Sequence, residues 1–511
     1  DYKNLVKAKE EIEKVLVKIN IQTGELTDRH KIMVIHRLLG KQTLEEKYHF
    51  RLNYQHRIIY QVTLSRKRER DNEKIDLYLF EHALLLVKHK FQNKREQHKV
   101  FERPIYLPLL YVNSGYEFPG LRQIMSNRID GSIVSDTQVR QGKIETNYVG
   151  ASLGVARLQL NFLGLGRNQV HLLLFADDVT NQTQVLLQIH QQQKKLIEKN
   201  DIFLLLKYET RRFHGNNKIN CAVPCYGGKK LLYGTDLGVW VLTVRLILAT
   251  LNEKICLDPT LVILKLYVTQ IEVLVEYLKL LILLDKTLYE YDLSCTDLLD
   301  HVKNTRLGKE ILTHVLFFKL GICEKRLLVV AAKKGSSGGT HLISIFEPLN
   351  PFDSKGNKTH KSKKYEIREF GFSSDPVLIS FFKRKLCVGC VKGFEILLLE
   401  DGRKEPILDE ADPLLDFATQ RELVTPLAIH RLGYNFLVLY LEFLFLINKN
   451  GWRTSHDWGI FWEGSPQNIA IFYPYLLAFE PGFIEARELD LTNILRALVG
   501  ENNRFLHLNE H

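Results

Sequence analysis

Cysteine is scarce in this chain: there are seven in 511 residues, at no spacing that would frame a disulfide scaffold. That points to a reducing compartment rather than to secretion. Long hydrophobic runs are also lacking, since every apolar stretch is cut by a charge or a turn before it could span a membrane. No N-terminal signal segment is visible, so Asn181-Gln182-Thr183 and Asn357-Lys358-Thr359 read as chance matches to a glycosylation acceptor. Serine is thin throughout, and no convergent carboxylates and no complete metal-ligand set appear. No metal and no cofactor is therefore expected, and a propeller-type hydrolase is disfavoured.

The remaining composition is that of a folded protein. Hydrophobic residues make up 45% and charged residues 25%, ordinary values for globular chains. At 511 residues the chain is too long for one core, so two or three domains are expected. A formal net charge of +11 favours an anionic partner without naming it.

One grammar recurs along the second half. "PCYGGKKLLYGTDLGVWV" (224–241) joins apolar runs through Gly-containing turns, and five later stretches do likewise: 280–293, 327–347, 385–400, 436–451 and 475–490. Short apolar runs split by Gly, Asp or Lys read as β-hairpins, because the turn needs positive φ or a solvated tip while the flanks pair. Recurrence at intervals of roughly 40–60 residues is that of propeller blades.

The first half reads differently. In 1–20, Leu5, Ile12, Val15, Leu16 and Ile19 share one helical face; this is either the tail of an element whose beginning is missing or a free terminal helix. Strand-like texture runs from about 31 to 112, a polar stretch at 113–154 reads as a long insertion, and strands resume near 155. A closing helix is expected over 180–203, with Val185, Leu186, Ile189, Leu196 and Ile197 on its apolar stripe and Thr180 or Asn181 as N-cap. Residues 204–217 read as a linker, and "DSKGNKTHKSKKYE" (353–366) as a basic flexible loop.

Particular stretches carry a family resemblance. "RLNYQHRIIYQVTLSRKRER", "KIDLYLFEHALLLVKHK" and "HKVFERPIYLPLLYV" resemble the pleckstrin-homology (PH) domain of fungal Rho guanine-nucleotide exchange factors. "INCAVPCYGGKKLLYGTDLGVWV" and "INKNGWRTSHDWGIFWEGSPQNIAIFYPYLLAFEPGFIEAREL" resemble the citron-homology (CNH) domain that follows it there. The resemblance implies a mainly β chain: a PH-type barrel or sandwich with a C-terminal helix over 31–203, then a CNH propeller of seven blades over 218–507. The hairpin count is six, so a seventh blade would be degenerate or closed by both chain ends. Residues 1–30 look like the last helix of a Dbl-homology exchange domain and its link, which leaves no catalytic residue in this chain. Such PH helices usually carry a buried Trp where Val185 stands here, implying less aromatic burial.

The candidate site follows from charge. Arg66, Lys67, Arg68 and Arg70 leave the first strand of the PH segment, and Lys88 and Lys90 end a following strand. In PH domains the first inter-strand loop commonly holds inositol phosphates, and converging cations suit such a headgroup. The alternative is a solvated basic hairpin tip, and Glu69 and Asp71 dilute the cluster. Cys387 and Cys390, like Cys221 and Cys225, read as strand residues rather than a zinc half-site. Trp452, Trp458 and Trp462 are expected to pack between blades, a binding hot spot being the alternative. His456 and Asp457 lack a nearby nucleophile, and "GLGRN" (164–168) lacks the helix a phosphate loop needs. The basic residues are spread without a nucleic-acid motif, so nucleic acid is not an expected partner.

Five leucines stand where turn physics prefers a small polar residue: Leu163, Leu165, Leu251, Leu257 and Leu261. The expectation is that some are native serines, as when CUG codons that certain yeasts decode as serine are read with the standard table. Taken as a whole, the resemblance implies a non-enzymatic regulatory region with three kinds of partner: a Rho-family GTPase, an anionic phosphoinositide membrane and the cytoplasmic tails of cell-surface sensors. It would act peripherally at the plasma membrane, in cell-wall and actin-polarity signalling. The alternative is a scaffold or tether acting independently of exchange.

Overall fold

Ile32, Ile35 and Leu39 fall at helical spacing and all three are buried, which carries the opening helix α1 (Tyr2–Leu39) into the region of expected strand texture. Strands begin only at Ile58. Ile12 and Val15, on the expected apolar face of α1, are more than half exposed. The computed structural model describes residues 2–507, apart from breaks of up to three residues and the segments 67–72, 115–157, 203–207, 244–254, 297–307, 336–340 and 350–364. The expected insertion at 113–154, from 115 onward, and most of the basic loop at 353–366 lie outside the described residues.

By internal contacts the chain forms two compact units. One comprises Asp1–Ile202, Phe461–Pro466 and Ala470–Asn503; the other comprises Phe203–Ile460, Gln467–Ile469 and Arg504–His511.

The first unit contains seven strands: β1 (Ile58–Ser65), β2 (Lys74–Phe80), β3 (Ala83–Gln92), β4 (Arg95–Tyr106), β5 (Leu110–Asn113), β6 (Gln159–Gly164) and β7 (Val170–Phe175). They form one sheet in the order β4-β3-β2-β1-β7-β6-β5. Both faces of this sheet are covered, which is why "ALLLV" (83–87) shows no polar alternation. Leu84 and Leu86 point into a core with Leu64, Leu77, Phe162 and Leu174. Ala83, Leu85 and Val87 point the other way, into a core with Ile32, Phe50 and Leu52.

Helix α2 (Val179–Lys199) closes the first core through Val185 and Ile189, one turn apart and fully buried. Its N-cap is Asp178 rather than Thr180 or Asn181: the Asp178 carboxylate accepts from the Asn181 amide at 2.7 Å. Ile197 faces away from the packed stripe and is 41% exposed. Two amides fix the helix to the sheet edge: Gln192 donates to the Glu81 carbonyl, and Gln193 to those of Leu107 and Leu110.

Residues Ile219 onward form six four-stranded antiparallel meanders, spanning 219–264, 268–312, 315–372, 376–406, 426–461 and 468–499. Each of the six hairpins read from the sequence supplies the middle strands of one meander. The described residues thus hold six blades of this type, not the seven implied by the resemblance. The further pairing there is a two-residue parallel ladder, Tyr208–Glu209 with Ile255–Cys256. Turn chemistry explains the tight hairpins: Asp285 and Lys286 both take positive φ (42° and 60°), the conformation a two-residue turn needs between twisted strands.

Leu163, Leu165 and Leu261 do not stand in exposed polar turns, the premise for expecting native serines among the odd leucines. Leu163 lies within β6 opposite Tyr111 and His171. Leu163, and Leu165 just past the end of β6, are 5% and 9% exposed, within the core of Phe50 and Leu52. They are core residues because β6 is covered on both faces. Leu261 is a half-buried strand residue opposite Trp240, and Leu251 and Leu257 lie outside the described residues.

Candidate anion-binding site at the β1–β2 end

The β1–β2 ladder runs to Ser65 opposite Lys74, and the Arg66 amide then donates to the Glu73 carbonyl at 3.1 Å. Arg66 and Glu73 therefore form the last described pair before the loop. Lys88 reaches the same place from β3, where it stands opposite Ile75. Its ammonium lies 3.8 Å from one oxygen of Glu73, and the Arg66 guanidinium lies 3.1 Å from the other. Both cations also lie over the Phe101 ring of β4, at 5.3 Å and 5.7 Å from its centre.

The arrangement is a pair of part-exposed cations held over an aromatic face and bridged by one carboxylate. Side-chain exposures of 52%, 25% and 31% for Arg66, Lys88 and Glu73 leave all three open to solvent. Exposed pairs of this kind contribute little to stability. Of the six cations expected here, the structure brings Arg66 and Lys88 together. Lys90 lies in β3, while Lys67, Arg68 and Arg70 lie outside the described residues. Sequence reading missed Glu73 and Phe101, because neither is charged like the cluster nor adjacent to it.

The other candidates resolve individually. Cys387 and Cys390 are buried strand residues whose thiols are pushed up in pKa by burial, Cys390 to about 11. Cys221 is likewise buried and pushed up to about 12. Trp462 is buried, whereas Trp452 is 42% exposed and donates its indole N–H to Asp409 at 2.9 Å. His456 and Asp457 lie outside the described residues. Gly166 and Arg167, from "GLGRN", make contacts across the unit: the Arg167 amide donates to the Glu463 carbonyl at 2.7 Å and its guanidinium to that of Gly464.

That last contact belongs to a larger junction, which no local pattern announced. The sixth meander contributes Phe483, Ile494 and Val499 to the core that holds Phe50, Leu85 and Leu165. Around this apolar seam Arg103 pairs with Glu463, Asn200 donates to the Leu495 carbonyl, and Arg496 pairs with Asp201 at 3.2 Å. The seven-stranded sheet and the last meander therefore share one core.

The family follows from these parts. A CNH domain model matches residues 227–509, and a pleckstrin homology domain model matches residues 58–193. The chain belongs to the CNH domain family, with a pleckstrin-homology segment ahead of the CNH region. It is 34% identical to "RHO1 GDP-GTP exchange protein 2" of Saccharomyces cerevisiae, over 99% of this chain and 37% of that protein. It is 33% identical to "Rho1 guanine nucleotide exchange factor 1" of Schizosaccharomyces pombe, over 96% of this chain and 36% of that protein. The chain thus spans little more than a third of the length of these relatives. Among solved structures it is similar to the "AfRom2 CNH domain", at 35% identity and a TM-score of 0.52, covering 60% of this chain and 91% of that one. The resemblance to the PH and CNH part of fungal Rho exchange factors is borne out.

Proposed function

We propose that this chain is the regulatory region of a Rho-family exchange factor, attached to anionic membrane by its PH segment and presenting its CNH meanders to protein partners. The carrying observation is the Arg66–Glu73–Lys88 group over Phe101. Two cations already converge there, and Lys67, Arg68, Arg70 and Lys90 are close in sequence. A multiply phosphorylated inositol headgroup would displace Glu73 and take both cations. Each near-surface cation adds about 1 kcal/mol of attraction to an anionic leaflet.

On this reading the PH domain follows α1, which runs unbroken through the boundary expected at 30–31, and ends near 203; the CNH domain spans 218–507, joined to it by a linker at 204–217. No helix of the described residues is long and apolar enough to cross a membrane, which suits peripheral attachment at the plasma membrane. The partners are a Rho-family GTPase and the cytoplasmic tails of cell-surface sensors, in cell-wall integrity and actin-polarity signalling. Nucleotide exchange itself is assigned to a Dbl-homology domain, of which α1 would be the final helix.

Two assays test this. Titration calorimetry with inositol hexakisphosphate should show binding that Arg66→Ala with Lys88→Ala weakens by about tenfold or more; equal affinity would reject the site. A fluorescent-nucleotide assay should show no stimulated release from a Rho GTPase by this chain alone, and clear stimulation would reject the non-catalytic assignment.

A further inference from the structure

In each meander the turn between the first and second strands lies at the same end of the sheet. In the third, fourth and fifth meanders these turns are residues 324–325, 382–384 and 433–434. Direct contacts join them. The Glu324 amide donates to the Lys383 carbonyl at 2.8 Å, and the rings of Phe382 and Phe436 lie 5.3 Å apart. The three turns therefore make one continuous surface within the second unit.

Two kinds of side chain dominate it. Ile322 is 67% exposed and Tyr434 is 92% exposed, each projecting beside its turn. Between them stand Lys325, Lys383 and Arg384, all exposed, and no described acid pairs with any of the three. Glu324, the acid of the first turn, is held by Arg326 at 2.7 Å. The contrast with the other end of the same strands is plain. There the turns of the fourth and fifth meanders, Val391-Lys392 and Leu441-Glu442, carry one charge each, of opposite sign.

We propose that this surface is a second membrane contact, docking the CNH region on an anionic lipid bilayer independently of the Arg66–Lys88 site. The shape and the charge select that occupant. Tyr434 stands on a hairpin tip and Ile322 on the strand just before one, so a protein partner would need a matching pocket for each, whereas a bilayer interface receives isolated exposed groups without one. Tyrosine is at home at headgroup level, and cations at the same height meet the anionic leaflet. With the tips at the interface, Lys325, Lys383 and Arg384 would lie among the headgroups, with Ile322 and Tyr434 at the same level.

The test uses the full chain carrying Arg66→Glu and Lys88→Glu, so that failure of the PH-segment reading and failure of this one are separable. Partition is measured onto phosphatidylcholine vesicles with and without phosphatidylserine. The parent should prefer the anionic vesicles. Lys325→Glu, Lys383→Glu and Arg384→Glu together should lower that partition by at least about tenfold, since each near-surface cation is worth about fivefold. Ile322→Ser with Tyr434→Ser should lower it several-fold. Tyr434→Trp should show blue-shifted emission and quenching by brominated lipid on anionic vesicles. Unchanged partition in both variants would overturn the proposal and leave an acidic protein surface as the occupant. A loss confined to the charge variant, with no emission shift in the Tyr434→Trp protein, would overturn tip insertion.

Discussion

Arg487 sets its guanidinium 5.8 Å from the centre of the Tyr106 ring, joining the sixth meander to the end of β4. The same guanidinium pairs with Glu485, two residues back on its own strand, and the two side chains are 3% and 2% exposed. Both charges are out of water, and the guanidinium also reaches the Phe461 carbonyl. Removing one member strands a buried charge, whereas removing both does not. Glu485→Ala should therefore cost about 3–5 kcal/mol. Glu485→Leu with Arg487→Met should cost far less than the sum of the two single changes. Chemical denaturation of the three variants checks this, and additive losses would contradict the coupled picture.

Stability of the first unit should respond to pH through two groups of opposite sense. Burial, reinforced by His56, pushes the His82 imidazole down to about 3 from its ordinary 6.5, and neither of its ring nitrogens has a hydrogen-bond partner. Its contribution is complete above pH 6.5 and is lost as pH falls from there toward 3. The full loss is on the order of 4 kcal/mol. Burial raises Glu480 to about 7 from 4.5, against the pull of the Ser465 amide. Its contribution is complete below pH 4.5 and is lost as pH rises through 7, by about 1–2 kcal/mol after solvent screening. The two slopes oppose each other between 4.5 and 6.5, so the acid-side fall in melting temperature should be shallower there than below 4.5. His82→Phe should remove the acid-side fall, and Glu480→Gln should raise stability above pH 7. A pH series of thermal melts in which His82→Phe keeps the parent's acid-side fall would contradict this.

Leu163 tests whether β6 is a core strand or a turn. Leu163→Ser would replace a side chain in the core with a hydroxyl facing Tyr111 and its neighbours, at a cost of about 3 kcal/mol. A change below about 0.5 kcal/mol in denaturant melts would restore the reading of this position as a polar turn.

Gly166 tests the close approach between the β6–β7 turn and the bend at Glu463, before the sixth meander. Its φ of +133° is a conformation that residues with a side chain rarely adopt, and a Cβ there would lie 2.7 Å from the Glu463 carbonyl oxygen. Gly166→Ala should destabilise by at least about 2 kcal/mol and loosen the contact read by Arg167. Hydrogen exchange at the Arg167 amide provides the readout, and unchanged protection would contradict the close packing.

What the sequence made legible was local. All six hairpins were readable because Gly, Asp and Lys punctuate apolar runs at the turns, and the α2 stripe was readable because Val185 and Ile189 repeat at helical spacing. What escaped was set by distant partners. Leu163 and Leu165 look misplaced until the sheet is seen to be covered on both faces. The onward run of α1 to Leu39 depends on a core assembled from β2, β3 and the sixth meander. Arg103 and Glu463 are 360 positions apart, and no local pattern relates them. At the candidate site the cations were visible as a cluster, but Glu73 and Phe101, which hold two of them in place, were not.

The most direct test of membrane attachment through the PH segment is vesicle flotation of the full chain. It compares the parent with a variant carrying Arg66→Glu and Lys88→Glu. The vesicles are phosphatidylcholine doped with phosphatidylinositol 4,5-bisphosphate, and salt is raised stepwise. The expected result is strong binding by the parent that fades with salt, and at least about a tenfold lower partition for the variant. Equal binding by parent and variant at every salt concentration would contradict the account.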